Sequence, residues 1–530
     1  MKRIVYTLLL VCFCLTGNSQ VILFLKEYGD HFADQKAYDV ETDMCGNIYT
    51  CGVLMGARPD SIDTIAITTY TVFGTGVLIK HATDGDALWV KTFGSTCFNG
   101  KCSYYDITTD TLCNIYVCGD IFCGDLILDG DTIPTSGGKL IVKYDANGNR
   151  LWYKMFESKY ADSRYGIDYS KSGYIFVGAN FHDTIRIDGQ YYSRNDSIVD
   201  TDPIVIKMRE DGSVVWAHFY GSIANETCNS IATDDSGKFY ITGSFDFSTI
   251  FGNDTVSNFG LWGLESSYLT SCDSDGTVHN ARWFGYGAAF YRVTKDNNNG
   301  WFASGTQGEN VVHERMDFTG SWTGVYGNST QTGGIDPPKG YGACSDPFGN
   351  YYVTGSFDEH FSLSGIGNSM YLNSPGNRYE AYLGIYDQSG AIVDLERIPN
   401  HGYSDAGNAI AFLPPNRVLI AGEQGQASGT NDYFLAIYDV SLIVYTGKIQ
   451  HDHISIYPNP ATDMLTVIAL GSSENSRIEM FSITGSKIQL TDILHEGNVF
   501  RINLDGMTPG IYIVRYTNGG MVMNRRVVKM

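Results

Sequence analysis

A chain of 530 residues with 60 glycines, 36 tyrosines and 27 phenylalanines, but only 18% charged residues, favours strands and tight turns over surface helices. Its length allows more than one domain, each with a real core. The formal net charge of −22 works against nucleic acid or an anionic membrane as partner and would tolerate or attract cations.

Residues 1–19 combine the basic pair Lys2 and Arg3, an apolar run from Ile4 to Leu15, and the small residues Gly17 and Ser19. That is the pattern of a cleavable secretory signal, too short for a membrane span. Cleavage is expected after Ser19, leaving Gln20 at the new N-terminus. A lipoprotein anchor at Cys12 or Cys14 is the rival, but Val11 and Phe13 stand where a small residue is required. No later stretch is apolar enough for a transmembrane helix. From Thr446 onward the chain carries eight Lys/Arg and seven Asp/Glu, so the acidity sits on residues 20–445, near −25.

The mature chain opens on "VILFLKEYG", Val21 to Gly29, one strand with no partner beside it. A repeat follows: "DMCGNIYTCG", "DTLCNIYVCG", "KSGYIFVG", "DDSGKFYITG", "NNNGWFASG", "DPFGNYYVTG" and "PPNRVLIAG", ending in Gly52, Gly119, Gly178, Gly243, Gly305, Gly355 and Gly422. Seven copies at a bounded period of 50 to 67 residues call for a repeat architecture. Each copy reads as four strands. A short strand A leads through an Asp/Asn/Gly turn to the aromatic strand B. After a long loop, strand C ("GVLIKHA", "KLIVKYD", "PIVIKMR") turns sharply into strand D, where Trp89, Trp152, Trp216 and Trp322 hold one register.

Seven such units predict an all-β chain built as a seven-bladed β-propeller over residues 20–445. A linear solenoid would need distinct caps. The seventh unit instead lacks strand D, and the opening strand supplies it: Phe24, Lys26, Tyr28 and Gly29 fall in register with Trp89, Lys91, Phe93 and Gly94. Such closure would remove the exposed edges of an open array. These units resemble the bacterial SBBP propeller-repeat family, whose consensus includes "D-x-x-G-N-x-Y-x-x-G". The resemblance covers most of residues 30–440 and is weakest in units five and seven.

Ten cysteines follow the signal, seven of them between Cys45 and Cys123. Export permits disulfides, and Cys97 with Cys102, close together in one loop, is the expected local pair. Zinc is the competing reading, although the spacings match no CxxC template.

After a linker at 446–453 the periodicity changes. Alternating apolar positions over residues 454–530 predict about seven short strands and a small Ig-like β-sandwich. "YPNPATDMLTV", with Tyr457, Pro458, Asn459 and Pro460, "LDGMTPGIYIV", with Gly510 and Tyr512, and a basic last strand resemble the C-terminal sorting domain of type IX secretion in Bacteroidetes. The resemblance implies the type IX secretion machinery as a partner. It also implies passage through the periplasm and release or attachment at the outer cell surface.

The A–B and C–D turns are short and share one face of the disc. The B–C loops (roughly 53–76, 120–138, 179–203, 244–262, 306–309, 356–380 and 423–431) and the D–A loops lie on the other, where binding is expected. Fourteen residues before the repeated glycines stand Tyr38, Tyr105, Asn229, Tyr291, Tyr341 and Asn408; Tyr165 stands thirteen before its own. Asp162, Glu226 and Asp405 come three positions earlier. The functional reading is a ring of phenols and carboxylates at a channel mouth, suited to sugar stacking or a cation. Against it, positions repeated in every unit usually hold neighbouring loops together.

No G-x-S-x-G or H-E-x-x-H is present, "CDSDG" fails as an EF-hand, and "YDANGNRLW" resembles the blade-stabilising Asp-box. The sequence therefore predicts a non-catalytic binding propeller with a glycan or surface-protein ligand. The alternatives are a carbohydrate-active hydrolase or lyase, whose acid pair need not be close in sequence, and a structural envelope component. No cofactor is expected, a structural calcium ion being the one addition the acidic body would accept.

Overall fold

The computed structural model describes residues 21–440 and 454–529, except 29–33, 57–60, 159–164, 194–200, 222–224, 247, 252–253, 258–265, 297–299, 309, 320, 329, 333–337, 375–377, 400–403, 427–428, 458–460, 470–475, 483–485, 491–492, 497–498 and 519–520. Every regular element among these residues is a β-strand, and no helix is long and apolar enough to cross a membrane. The signal residues 1–19 and Asp162, Pro458, Asn459 and Pro460 lie outside them.

Each repeat folds as an antiparallel sheet with its strands in sequence order. The first contains Gln35–Thr42, Ile48–Leu54, Thr75–His81 and Ala87–Ser95. The second contains Cys102–Thr109, Ile115–Ile121, Gly138–Tyr144 and Arg150–Ser158. The recurring "D-x-x-G-N-x-Y" has a plain physical origin. Asp110 Oδ1 accepts the N–H groups of Leu112 and Asn114, both at 2.9 Å, and Tyr116 Oη donates to Oδ2 at 3.0 Å. Asp43 and Asp346 repeat the arrangement with Tyr49 and Tyr352. The aspartate thus folds the turn and then anchors the following strand.

The repeated glycine is fixed by a close approach of two backbones. A Cβ on Gly52, Gly243, Gly355 or Gly422 would be driven into the carbonyl of Lys36, Thr227, Lys339 or Ala406, always sixteen residues earlier. The strand that brings that carbonyl in is bulged. Its register shifts between Ala37 and Asp39, Tyr104 and Asp106, Phe290 and Arg292, Gly340 and Gly342, and Gly407 and Ala409.

Hydrophobic cores lie between consecutive sheets. Tyr49, Leu78 and Phe93 of the first sheet pack with Tyr104, Ile107 and Leu140 of the second. Phe176 and Val205 of the third pack with Ile231, Phe239 and Tyr268 of the fourth. The series returns on itself: Ala409, Leu419 and Tyr433 of the last repeat share a core with Ala37, Val40 and Ile48 of the first.

The opening strand, Val21–Tyr28, pairs antiparallel with Asn431–Asp439 and completes the last repeat's sheet. Phe24 takes the place expected of a strand-D tryptophan. Its ring covers Gly85 in the next turn, as the rings of Trp89 and Trp152 cover Gly148 and Gly212. Trp152 Nε1 also donates to Glu210 O at 2.9 Å, tying one sheet to the next.

Two features depart from the sequence reading. Cys97 bonds to Cys123, not to Cys102. Cys102 opens a strand, is fully buried and belongs to the core between the first two sheets, so its thiol is held away from the Cys97 loop. A second disulfide, Cys45–Cys113, joins the A–B turns of those sheets. Among the described residues, the one grouping with metal-ligand geometry is Asp43, Cys45 and Cys113, and the disulfide consumes both of its sulfurs.

The second departure concerns the long loops, parts of which fold as hairpins. Leu126–Leu128 and Asp131–Ile133 turn at Asp129-Gly130, both at positive φ, and pair with Ala87–Ser95 of the preceding repeat. Thr184–Ile187 and Gln190–Ser193 do the same around Asp188-Gly189. Strand-D lysines pair with the turn aspartates: Lys26 with Asp63 at 2.9 Å, Lys91 with Asp129 at 3.9 Å, and Lys154 with Asp188.

The tail forms two four-stranded sheets around one core of Leu465, Val467, Met480, Phe500, Ile502, Val514 and Val527. Tyr457 lies in Ile454–Tyr457 opposite Thr466, and Gly510 opposite Lys529. Tyr512 Oη donates to Thr508 O at 2.7 Å.

Candidate functional site

The repeated phenols and amides mark the bulges. Tyr38, Tyr105, Tyr291, Tyr341 and Asn408 are the extra residues at five register shifts. A bulge turns an unpaired side chain toward the neighbouring sheet. The rings of Tyr38 and Tyr105 lie 5.3 Å apart, those of Tyr105 and Tyr165 5.8 Å, and those of Tyr291 and Tyr341 5.1 Å. Amides continue the belt: Asn229 Nδ2 donates to Phe290 O at 3.1 Å, and Asn408 Nδ2 to Ala37 O at 2.9 Å.

The members differ in access. Tyr105 and Tyr165 are buried, Tyr105 donating to Asp120 Oδ1 at 3.1 Å and Tyr165 to Leu140 O at 3.1 Å. Tyr38, Tyr291 and Tyr341 are half-buried. Glu226 and Asp405 are buried, and Asp405 Oδ1 accepts the Gly425 N–H at 2.9 Å. The belt therefore joins sheet to sheet, and only part of it is open to a ligand.

One residue beyond the belt, the sheets place charges that sequence reasoning missed. Arg292, on the first strand of the fifth sheet, reaches the first strands of the first two sheets. Its Nη2 lies 3.1 Å from Asp39 Oδ1 and its Nη1 2.7 Å from Asp106 Oδ1. Each aspartate also accepts a neighbouring sheet's N–H at 2.9 Å, Ile107 to Asp39 and Ile167 to Asp106. Small residues stand at the equivalent positions of the other repeats: Gly166, Ser230, Gly342 and Ala409. Two residues further along lie Glu41 and Asp168, half-buried. Asp168 Oδ2 accepts the Thr233 N–H at 2.6 Å.

This axis is crowded with carboxylates in little water. Burial pushes Asp39 well above its ordinary value, with Arg292 opposing and Asp106 adding to the rise. Burial likewise raises Glu41 to about 8 and Asp168 to about 6. Burial also works against the charge on Arg292, but Asp106 and Asp39 outweigh it and keep the guanidinium protonated. The signal available in the sequence was a break in the repeat: acids follow the belt tyrosine in the first two units and an arginine follows it in the fifth.

A second constellation lies on the long-loop face. The Cys97–Cys123 disulfide fastens two loops there, and hydrogen bonds hold them and a third together. Thr96 N–H donates to Asp125 O at 3.0 Å, Phe122 N–H to Lys101 O at 3.1 Å, and Thr71 Oγ1 to Gly100 O. The platform exposes apolar side chains that the core does not use: Phe98 is 79% exposed, Phe73 48%, Phe122 44% and Val72 42%. Asn99 and Lys101 are exposed beside Phe98.

Residues 455–530 match the family described as a secretion system C-terminal sorting domain. A type IX sorting domain is thus present, and it marks the protein for export by that route. No curated protein matches the chain. Among solved structures it is similar to U3-55K, at 9% identity and TM-score 0.45, covering 78% of this chain and 98% of that one. It is also similar to an ulvan lyase of a new polysaccharide lyase family, at 9% identity and TM-score 0.41, covering 77% and 95%. A protein of unknown function from Dyadobacter fermentans matches at 11% identity and TM-score 0.35, covering 63% and 93%.

Proposed function

We propose that the chain is an exported carbohydrate-binding module. In this reading residues 1–19 are a signal peptide, and residues 20–445 form a seven-bladed propeller of SBBP-type repeats closed by the N-terminal strand. Residues 446–453 link it to an Ig-like sorting domain at 454–530. The protein crosses the periplasm and works in the medium or attached to the outer cell surface of a Bacteroidetes cell.

The disulfide-fastened platform carries this reading. Phe73, Phe98 and Phe122 offer ring faces and edges on which the apolar face of a sugar can rest, and exposed Asn99 and Lys101 supply hydrogen bonds to its hydroxyls. Rigid loops bind at a smaller entropic cost than mobile ones. The test is a glycan array probed with residues 20–445, wild type beside Phe98→Ala/Phe122→Ala. Saturable binding that the variant loses supports the reading. A silent array, or binding the variant keeps, overturns it and favours a protein partner or a structural envelope role.

The axial acids favour a second reading, a glycoside hydrolase or lyase. Glu41 and Asp168 fill one repeat position in only two units, are half-buried, and are pushed toward neutral values, as a catalytic acid and base would be. Release of new reducing ends or unsaturated sugars, abolished by Glu41→Gln and Asp168→Asn, would establish it.

A further inference from the structure

We infer that the long-loop face stays open while the protein is held through its sorting domain, because both ends of the repeat region leave on the opposite face. This inference rests on the type IX sorting reading and names the side from which a ligand reaches the platform. It does not depend on the ligand being a sugar.

The pairing of the first and last strands fixes the two exits. Val21 is the partner of Asp439, so the chain enters and leaves the repeat region side by side. Asp439 is also opposite Arg417, at the start of the strand that follows the last A–B turn. Val440 N–H donates to Asn416 O within that turn at 2.8 Å. Arg417 Nη1 donates to Thr83 O, in a C–D turn, at 3.4 Å. Entry and exit therefore both lie among the short turns.

The candidate ligand contacts are at the other ends of the same strands. Phe98 lies between Ala87–Ser95 and Cys102–Thr109, Phe122 follows Ile115–Ile121, and Phe73 precedes Thr75–His81. All three positions are ends remote from the A–B and C–D turns. The thirteen residues 441–453 that lead to the sorting domain start at the short turns and, fully extended, span no more than about 45 Å. The shortest placement of the sorting domain is thus beside the short-turn face. A tether at the C-terminus turns Phe73, Phe98 and Phe122 away from whatever holds the chain. Ligand and secretion machinery then occupy opposite faces and do not compete.

Lysines mark both faces, and the test uses them in the unaltered mature chain. Lys171 and Lys295 stand at A–B turns, where both pair with Asp235. Lys101 and Lys339 stand at the starts of A strands on the long-loop face. A short amine-reactive cross-linker, read by mass spectrometry, should join Lys487 and Lys529 of the sorting domain to Lys171 and Lys295. That yield should exceed the yield at Lys101 and Lys339 by at least about fivefold, as the higher effective concentration on the tethered side requires. Parity between the two pairs, an excess at Lys101 and Lys339, or no cross-link to Lys171 and Lys295 overturns the inference. None of these outcomes involves a glycan, so failure here is separable from failure of the carbohydrate reading.

Discussion

Arg292 Nη1 and Asp106 Oδ1 lie 2.7 Å apart although 186 residues separate them in the chain. With Asp39 on the other guanidinium nitrogen, this contact binds three sheets through one side chain. Removing the cation alone would leave two acids buried without compensation. Arg292→Met should therefore cost about 3–5 kcal/mol, read from urea unfolding midpoints. Replacing all three groups together, Arg292→Met with Asp39→Asn and Asp106→Asn, should cost less than Arg292→Met alone. Equal losses would mean that packing, not charge, holds the axis.

The same axis sets a pH dependence with a defined sign. Burial pushes the Glu41 carboxyl up to about 8, from 4.5 for the free side chain. An acid whose folded value is raised makes its full contribution below the unfolded value and loses it as pH climbs to the folded one. Stability should fall between about pH 5 and pH 8. Glu41→Gln should remove part of that slope, gaining on the order of 2 kcal/mol at pH 9 once its partial exposure is allowed for. Subtracting the variant's curve from the wild type's isolates Glu41 from other titrating acids. A difference curve that is flat over this window would rule the effect out.

Much of this was legible in the sequence, and the reason is local. The Asp–Asn–Tyr signature folds each turn through its own hydrogen bonds, so Asp43, Asp110 and Asp346 announce their strands without help from distant residues. Phe24 could be aligned with Trp89 because strand D repeats as a unit. What escaped detection depends on relations between repeats. The bulge at Tyr38 and the carbonyl of Lys36 that forbids a side chain on Gly52 emerge only when two strands pair. Asp39, Asp106 and Arg292 break the repeat, and a search for periodicity discards what does not recur. Cys97 passes over its near neighbour Cys102 for Cys123, because the strand beginning at Cys102 turns that thiol into the core.

Backbone pairing joins the opening strand to the last repeat, and specific side chains join it to the first. Tyr28 Oη contacts His81 Nδ1 at 3.1 Å and donates to Gly85 O, while Lys26 bridges Asp63 and Asp86. Tyr28→Phe should cost about 1 kcal/mol, the worth of a buried hydrogen bond, because the Gly85 carbonyl and His81 Nδ1 keep each other at 3.1 Å. Deleting residues 20–28 should lower the melting temperature further, because Tyr433, Leu435 and Ile437 then lose an edge of their core. A deletion that melts like the wild type would sink the closure argument.

The cysteine pairing is open to direct chemistry. Native alkylation followed by peptide mapping should recover Cys97 linked to Cys123 and Cys45 linked to Cys113, with Cys102 modified only after unfolding. Cys97→Ser/Cys123→Ser removes a cross-link over 26 residues and should cost about 3 kcal/mol. It should also free the two loops it joins, seen as faster amide exchange at 96–101 and 122–125. Modification of native Cys102 would contradict its placement in the core.

Removal of residues 451–530 separates export from folding. Among the described residues, the sorting domain's core draws on none before Ala461 and the repeat cores on none after Val440. The truncated chain should therefore melt like the repeat region of the full protein, yet accumulate in the periplasm because it lacks the segment the type IX route recognises. Cell fractionation and thermal unfolding of the recovered protein check the two halves of this outcome. Truncated protein at the cell surface or in the medium would show that another part of the chain directs export. Truncated protein that is retained but unfolded would show that the two units depend on each other for stability, despite their separate cores.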